Sequence, residues 1–440
     1  MINRFISFNS FTIKLTYIFL VCVFALPQYF GIPLPLFALT AQRIVLLWLL
    51  FKLFTTRDVY GDLLRSFTGT PFLVCLPFIF IASLTALVRA DISSVFNFLF
   101  DAFIPMLILI FAGKEYLNIN KVINLLSIIV TVACIIAILD VAILHKNLYE
   151  YVHTISSISG GSAFRANSYR AAAMCSHPIA FGMYLVLMLP IICFDTSSMT
   201  VNLCNRPVVL LLMCGAILCC GSRMPQVTFI FELLCIYILT DSHHKKLITP
   251  YLVLFIIISV LLIYLLRDER HVRRIILLNY YQLVDSIFGT DFVLRNYGYW
   301  QAAYIKSWDY RNLLPKLFLS NDYDPLLGLG AKAANYSNFS AIIDGRTVAS
   351  IDNYYVLQYL QYGYPGLIGI LLVFLYFLLF YINGIFCKQC HLNKLMAMLF
   401  VSLCLYLVNL WFVADLGTFK YLFSLFGLIY GFNLKNEAAH

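Results

Sequence analysis

Residues 70–88 read TPFLVCLPFIFIASLTALV, and no charged side chain interrupts them. A helix that crosses a bilayer needs about 20 mostly apolar residues, since each residue adds about 1.5 Å along the helix axis. Stretches of this kind recur along the whole chain. The sequence therefore predicts an all-α integral membrane protein with about twelve transmembrane helices.

The candidate spans are spread over the N-terminal two thirds and the C-terminal fifth of the chain. They occupy residues 12–30, 34–54, 70–88, 95–113, 121–144, 178–194, 207–220, 226–240, 249–266, 354–383, 394–412 and 418–434. The spans at 207–220 and 226–240 are short and flank the sequence GSRMP at 221–225. This pattern predicts a hairpin of two helices that stops below the membrane surface.

The composition excludes an ordinary soluble protein. Of the 440 residues, 62% are hydrophobic and only 12% are charged, whereas a soluble domain carries roughly 25% charged residues. The net charge of +9 suits anionic lipid or an anionic substrate and does not choose between them. No basic run is longer than Lys245-Lys246 or Arg273-Arg274, so no nucleic-acid partner is expected.

The distribution of Lys and Arg predicts the orientation. Short basic loops at 52–65 and 241–248 belong to one face, and by the positive-inside rule this face is cytoplasmic. Both termini and Cys387 are then expected in the cytoplasm. The longer segments 145–177 and 267–353 are expected outside.

These assignments divide the chain into three parts. Residues 1–266 carry transmembrane helices 1–9, residues 267–353 form one large helical outer loop, and residues 354–440 carry helices 10–12. In the loop, aromatic side chains recur every three or four residues, at Tyr297, Trp300, Tyr304 and Trp308. Such a helical face suits either contact with lipid headgroups or stacking against sugars.

No cofactor or metal is expected from the sequence. No cluster of His, Cys and carboxylates has zinc spacing, and no glycine-rich loop is suited to phosphate. Residues 387–391 (CKQCH) match a haem-attachment pattern. They lie in a predicted cytoplasmic loop, on the side opposite to covalent haem attachment, and we do not interpret them as a haem site.

Arginines on the outer segments are the strongest functional signal. The guanidinium is a planar, permanent cation that binds phosphate oxygens in pairs. Arg165, Arg170, Arg223 and Arg295 come from three outer segments. If they converge, they form an anion site where a lipid-linked diphosphate would fit. The alternative is that each side chain extends separately to the headgroups.

Three further positions have more than one reading. His177 precedes Pro178 at the start of a span, where it suits a base, a diphosphate ligand or a helix cap. Asp352 precedes Asn353 where the large loop returns to the membrane, and it suits either an acceptor-activating carboxylate or a cap. Arg43, placed mid-span, suits an ion pair with Asp101, Asp140 or Glu232, or a role with lipid phosphate.

These residues resemble the bacterial O-antigen polymerase and O-antigen ligase superfamily. The likeness covers roughly residues 160–385 and rests on motifs in family order. They are Arg170 with His177-Pro178, then Ser222-Arg223, the sequence PLLGLG at 325–330, and DNYY at 352–355 followed by YGYPGL at 362–367.

The resemblance implies a membrane glycosyltransferase that uses undecaprenyl-diphosphate-linked oligosaccharides at the periplasmic face of the bacterial inner membrane. It implies no metal and no nucleotide sugar, and a chain-length regulator as a further partner. Asp352, Arg223 and His177 are then the expected catalytic residues. The expected substrate-binding residues are Arg165, Arg170, Arg295, Asn353 and Tyr354.

Related ligases carry a His at the position that Asp352 occupies, so this departure favours a polymerase over a ligase. The alternatives are an O-antigen ligase that transfers polysaccharide to the lipid A core, and a flippase or transporter of lipid-linked sugars. A transporter often has two related halves, and no such internal repeat is found.

Overall fold

The fold is described from a computed structural model. It describes residues 10–27, 30–34, 37–152, 164–165, 168–269, 277–298, 311, 313–320, 322–334, 339–343, 346–348, 351–387, 392–414 and 416–437. Within these ranges the chain is a bundle of α-helices with four small antiparallel hairpins.

The α-helices, numbered in chain order, are α1 Ser10–Ala25, α2 Ala41–Thr55, α3 Arg57–Phe67, α4 Thr70–Val88, α5 Ile92–Phe98, α6 Ile104–Glu115, α7 Ile119–Leu139, α8 Pro178–Cys193, α9 Pro207–Cys219, α10 Arg223–Leu239, α11 Ser242–Leu265, α12 Leu278–Phe288, α13 Phe292–Tyr297, α14 Tyr354–Phe386, α15 Asn393–Phe412 and α16 Phe419–Glu437. Two π-helical turns, Leu99–Phe103 and Asp140–Leu144, continue α5 and α7, and two 3-10 turns lie at Leu148–Val152 and Leu314–Leu319.

The four hairpins pair neighbouring short strands. They are β1 Gly31–Pro33 with β2 Ala38–Thr40, β3 Phe164–Arg165 with β4 Ser168–Tyr169, β5 Phe194–Asp195 with β6 Thr200–Val201, and β7 Ala341–Ile343 with β8 Arg346–Val348.

Five continuous helical segments of the described chain are long and apolar enough to cross a membrane. They are Thr70–Val88, Ile92–Glu115, Ile119–Leu144, Tyr354–Phe386 and Asn393–Phe412. Three shorter apolar helices, α1, α8 and α9, accompany them. These helices indicate a multi-pass helical membrane protein. Each of the twelve predicted spans overlaps a helix, but the described helices do not establish twelve crossings.

The predicted span at 34–54 is wrong in its first part. Residues 31–33 and 38–40 pair as the hairpin β1–β2, and α2 begins only at Ala41. Pro33 and Pro35 supply no backbone N–H, which disfavours a helix through this stretch. Thr40 then caps α2, its side chain accepting from the Arg43 backbone N–H. Arg43 therefore lies in the first turn of α2 and not in the middle of a span.

Small residues allow the inner helices to pack closely. Helix α16 runs along α6, and a Cβ atom at Gly427 would lie 2.5 Å from the Met106 carbonyl oxygen. Helix α14 packs against α4 in the same manner, since a Cβ at Gly369 would lie 2.9 Å from the Phe78 Cα. Close backbone approach of this kind is typical of helices that associate within membranes.

Polar contacts between distant segments join loops that the sequence assigns to one face. At one end of the bundle these contacts are Arg89 with Asp324 (3.1 Å), Ser176 with Leu416 (3.3 Å) and Lys420 with Leu26 (3.1 Å). At the other end they are Lys394 with Asp241, Lys435 with Leu117 and Arg206 with Asn124, each at 3.0 Å. We call the first end, which carries residues 267–353, the large-loop end.

The large loop is only partly helical where the structure describes it. Helices α12 and α13 pack on each other, and the remainder holds one 3-10 turn and the hairpin β7–β8. A small second core joins this remainder to the first half of α14. It contains Leu314, Leu317, Ala334, Phe339, Ile343, Val348, Ile351, Val356, Tyr359 and Leu360. Of the predicted aromatic face, Tyr297 ends α13, and positions 300, 304 and 308 lie outside the described residues.

Two of the motifs that carry the family resemblance form a backbone clasp, which we define as residues 324–330 with 360–364. Its main-chain hydrogen bonds run from Leu329 to Leu360 (2.7 Å), from Gly330 to Gln361 (3.0 Å) and from Tyr364 to Pro325 (2.8 Å). Gly363 kinks α14 with φ at +67°. A Cβ there would lie 2.5 Å from the Pro325 carbonyl oxygen. The clasp therefore fixes the loop on α14.

Replacing Gly363 with alanine should destabilise the fold by about 2–3 kcal/mol or more, because it adds backbone strain to a steric clash. Thermal unfolding of the detergent-purified protein measures this. Gly61→Ala on α3 is the matched control, since a Cβ there meets nothing within 4 Å. An unfolding temperature for Gly363→Ala equal to that of Gly61→Ala would contradict the clasp.

Candidate functional site

Three predicted site residues lie near one another at the large-loop end. The Ala171 backbone N–H donates to the Cys219 carbonyl at 2.9 Å, which ties the segment 170–177 to the end of α9. The turn 220–222 follows, and Arg223 opens α10. Arg170 lies close enough to His177 to affect its ionisation. Arg170, His177 and Arg223, taken from separate parts of the chain, are thus brought to one region.

A second contact connects this region to the start of α14. The Ser176 hydroxyl donates to the Leu416 carbonyl at 3.3 Å, in the turn between α15 and α16. Phe419, which follows that turn, meets the Tyr354 ring with 5.0 Å between ring centroids. The predicted group at 352–354 is therefore linked to the predicted group at 170–177 through residues 416–419.

Helix N-termini give this region a favourable field for anions. Helices α8, α10 and α14 all begin here, at Pro178, Arg223 and Tyr354. The N-terminus of a helix carries about half a positive charge and unpaired N–H groups. Among the described residues, the Ser222 side chain makes no capping hydrogen bond to α10. The helix field at the start of α10 and the positive charge of Arg223 would both favour a phosphate group there.

Arg223 is held at its position by tight packing beneath it. A Cβ at Gly182 on α8 would lie 2.5 Å from the Pro225 Cβ, so the first turn of α10 rests directly on α8. Gly221 precedes it with φ at +58°, a conformation that glycine adopts readily. The local sequence GSRMP therefore places a half-buried arginine at a fixed helix start.

His177 caps α8. Its Nδ1 accepts from the Ile179 backbone N–H at 3.1 Å. Burial, and then the charge of Arg170, lower the pKa of His177 to about 4. The imidazole is neutral at physiological pH with its proton on Nε2, because Nδ1 serves as the acceptor. His177 is thus suited to donate a hydrogen bond to a phosphate oxygen and poorly suited to act as a base.

The low pKa of His177 predicts an acid-sensitive fold. Histidine in the unfolded protein titrates near pH 6.5. The contribution of neutral His177 to the free energy of unfolding is therefore complete above about pH 6.5 and is lost as the pH falls towards 4. The loss amounts to at most about 3 kcal/mol. Across this pH range the unfolding temperature of His177→Asn should fall less than that of the wild type, because Asn still caps the helix but does not titrate. Identical pH profiles for the two proteins would contradict the assignment.

Asn353, and not Asp352, caps α14. The Asn353 Oδ1 accepts from the backbone N–H groups of Tyr355 (3.0 Å) and Val356 (3.1 Å). Tyr354 is 1% exposed and packs among aromatic rings. Both residues therefore have structural positions, and the cap reading of Asp352 is wrong. The Asp352 side chain remains partly exposed at the large-loop end.

Arg311 is a site residue that the sequence did not single out. Its Nη2 lies 3.5 Å from the Asp352 Oδ2. Its Nε is buried and has no hydrogen-bond partner among the described residues. Nothing in the local sequence distinguishes Arg311 from the other basic residues of the loop. Only its ion pair with Asp352 does so.

Of the two other predicted anion ligands, Arg165 has a side chain outside the described part of the structure, and Arg295 makes no described contact with this group. The backbone of Arg165 lies in β3 opposite Ser168. Arg295 is exposed in the last turn of α13, and its side chain makes no hydrogen bond or ion pair with the described residues. Of the four arginines predicted to converge, Arg170 and Arg223 lie on segments that a described hydrogen bond joins.

Arg43 pairs with Asp101, as the ion-pair reading predicted. Its Nε and Nη2 contact the two carboxylate oxygens at 2.9 and 2.6 Å. The Ala38 carbonyl and the Asn97 side chain, each at 2.7 Å, accept from two more of its N–H groups. This pair fixes the hairpin β1–β2 and α2 to the π-helical turn at Leu99–Phe103.

The described residues contain no group of three His, Cys, Asp or Glu side chains that could hold a metal ion. Cys387 is exposed, and the rest of the CKQCH sequence lies outside the described residues. No protein-family model matches the chain, and no curated protein matches it significantly. The functional argument therefore rests on the site residues themselves.

Proposed function

We propose that this protein is a surface-polysaccharide polymerase that joins undecaprenyl-diphosphate-linked oligosaccharide repeat units at the periplasmic face of the bacterial inner membrane. The observation that supports the proposal is the hydrogen bond from the Ala171 N–H to the Cys219 carbonyl, which joins the segment with Arg170 and His177 to the end of α9, four residues before Arg223. Two guanidinium groups and a neutral N–H donor suit a lipid-linked diphosphate at the end of a membrane bundle.

The proposed reaction needs stabilisation of a leaving group more than it needs a strong base. The bond between donor C1 and the diphosphate oxygen breaks, and a bond forms between C1 and the acceptor hydroxyl oxygen. The diphosphate leaves on its lipid, and the hydroxyl proton passes to water or to a carboxylate. Arginines positioned beforehand stabilise the charge that develops on the diphosphate. The activated phosphosugar supplies the free energy, so no nucleotide is consumed.

In this scheme Asp352 orients the acceptor hydroxyl. Its carboxylate accepts a hydrogen bond from the hydroxyl, while Arg311 holds the carboxylate in place. Asn353 caps α14, so the Asp352 carboxylate does not serve as the helix cap. The turn at 416–419 lies between the Asp352 side and the Arg170 side, so acceptor and donor would approach from the two sides of that turn.

Asp352→Asn should reduce polymer formation by about 10²-fold, the lower part of the range for acid–base catalysis, without loss of the folded protein. The measurement is polymer length in cells, normalised to the membrane abundance of the variant. Asn353→Asp is the matched control, since Asp and Asn cap helices about equally well. Full-length polymer from Asp352→Asn would remove Asp352 from the mechanism.

A deletion strain tests the proposed function. We expect surface lipid to carry a single repeat unit, and polymer to return with the wild-type gene. Undecorated lipid A core would instead identify a ligase. Accumulation of lipid-linked repeats inside the cell would identify a flippase. Unchanged surface polysaccharide would contradict all three.

A further inference from the structure

Glu232 is a carboxyl group in the interior of the bundle that the proposed reaction does not use. It lies on α10 and is 0% exposed. Neither of its oxygens has a hydrogen-bond partner among the described residues. An unpaired carboxylate in a membrane bundle is costly, and intramembrane carboxyl groups are usually functional.

Among the residues that the structure describes, no cation lies near Glu232 to balance a negative charge. Helices α8 and α15 pack against α10. The titratable groups that face Glu232 are the thiols of Cys193 on α8 and Cys235 on α10 itself. From α15 the Ser402 hydroxyl faces the carboxyl without a well-formed hydrogen bond.

The hydrogen bonding of Ser402 decides which form of Glu232 fits. The Ser402 hydroxyl donates to the Val186 carbonyl at 3.2 Å. The hydroxyl has one proton, which cannot serve both the Val186 carbonyl and an ionised Glu232, since each of these is only an acceptor. A protonated carboxyl has one O–H to donate, so it can donate to the Ser402 oxygen while Ser402 donates to Val186. Protonated Glu232 therefore satisfies both contacts at once.

A second polar contact lies one turn closer to the large-loop end. The Asn409 Nδ2 donates to the Thr228 Oγ1 at 3.0 Å, between α15 and α10. The Asn409 Oδ1 is buried and has no partner in the described part of the chain. Thr228 precedes Glu232 by four residues, about 6 Å along the helix, and Arg223 precedes it by nine, about 14 Å. Polar groups thus extend from the site region towards Glu232.

We propose that Glu232 is a proton-binding site in the bundle interior, reached from the large-loop end along Thr228 and Asn409. The carboxylate takes a proton from water at that end and holds it as a neutral acid that faces Ser402. Release returns the proton to water by the same path. The step forms and breaks only O–H bonds.

Infrared spectroscopy of the protein reconstituted in lipid, near neutral pH, tests the site. The wild type should show a neutral carboxylic-acid C=O band that is absent in Glu232→Gln and moves to lower frequency in D2O. Carboxylate bands assigned to Glu232 in place of the acid band would overturn the proposal.

The wild-type protein provides a test that needs no folded variant. Dicyclohexylcarbodiimide adds the O–H of a neutral carboxylic acid across its N=C=N group. Near neutral pH it should modify Glu232 but not exposed Asp268, as mass spectrometry of peptides would show. Absence of the adduct on Glu232 would overturn the proposal.

The rate at which the infrared band of Glu232 shifts after transfer to D2O tests the proposed proton path. Asn409→Leu should slow it roughly three- to tenfold, since a hydrogen bond on the path is lost. Tyr237→Phe, which removes a hydroxyl bonded to Thr249 at 2.8 Å on the other side of Glu232, should leave it unchanged. The reverse pattern, or no effect of Asn409→Leu, would refute entry from the large-loop end.

Discussion

Arg223→Lys should lower polymer formation by about 10²–10³-fold while the protein inserts and accumulates normally. Lysine keeps the charge but loses the planar fork that binds two phosphate oxygens at once. The effect should be large because Arg223 is fixed at the start of α10, where the helix field also favours the diphosphate. Arg223→Ala should lose at least as much. The measurement is polymer chain length against membrane abundance.

Arg65→Lys is the matched control for this substitution. Its side chain is 85% exposed on α3 and pairs with Asp62 within the same helix, so polymer length should not change. Wild-type chain lengths from both Arg223→Lys and Arg223→Ala would dismiss the diphosphate role of Arg223.

Arg43→Leu should destabilise the protein by about 3–5 kcal/mol, the usual result of removing one partner from a buried ion pair. The Arg43 side chain is 4% exposed, and four acceptor atoms lose their donor when it is removed. Thermal or denaturant unfolding in detergent measures the change.

The double variant Arg43→Leu/Asp101→Leu should recover part of this loss, because no unpaired carboxylate remains. Arg65→Leu, which breaks an exposed pair, should cost about 1 kcal/mol or less. If Arg43→Leu and Arg65→Leu were equally stable, the Arg43–Asp101 pair would not hold the hairpin β1–β2 as described.

The apolar pattern was sufficient to locate the apolar helices. The predicted span at 70–88 has the same bounds as α4, because the apolar run lies between Gly69 and Arg89, which are also the caps of the helix. Local chemistry set the remaining boundaries. Prolines delay α2 to Ala41, and α3, a polar helix between two apolar ones, does not resemble a span.

The site was harder to predict, since its groups meet only through contacts between distant segments. The pattern at 352–354 indicated a helix start but could not assign the cap to Asn353 instead of Asp352, because both residue types cap helices. Arg311 lies 41 residues before its partner, Asp352. Likewise, the glycines at 328 and 363 look like turn residues. The close fit of each glycine against the segment that carries the other appears only when the loop lies on α14.

The most direct test of polymer formation is reconstitution of the purified protein in liposomes with undecaprenyl-diphosphate-linked repeat units and no nucleotide. The products are separated by length. Wild-type protein should yield chains of two or more repeats, and Arg223→Lys and Asp352→Asn should leave almost all of the substrate as single units. Single units alone from folded wild-type protein, or equal polymer from all three proteins, would contradict the proposed function and its site.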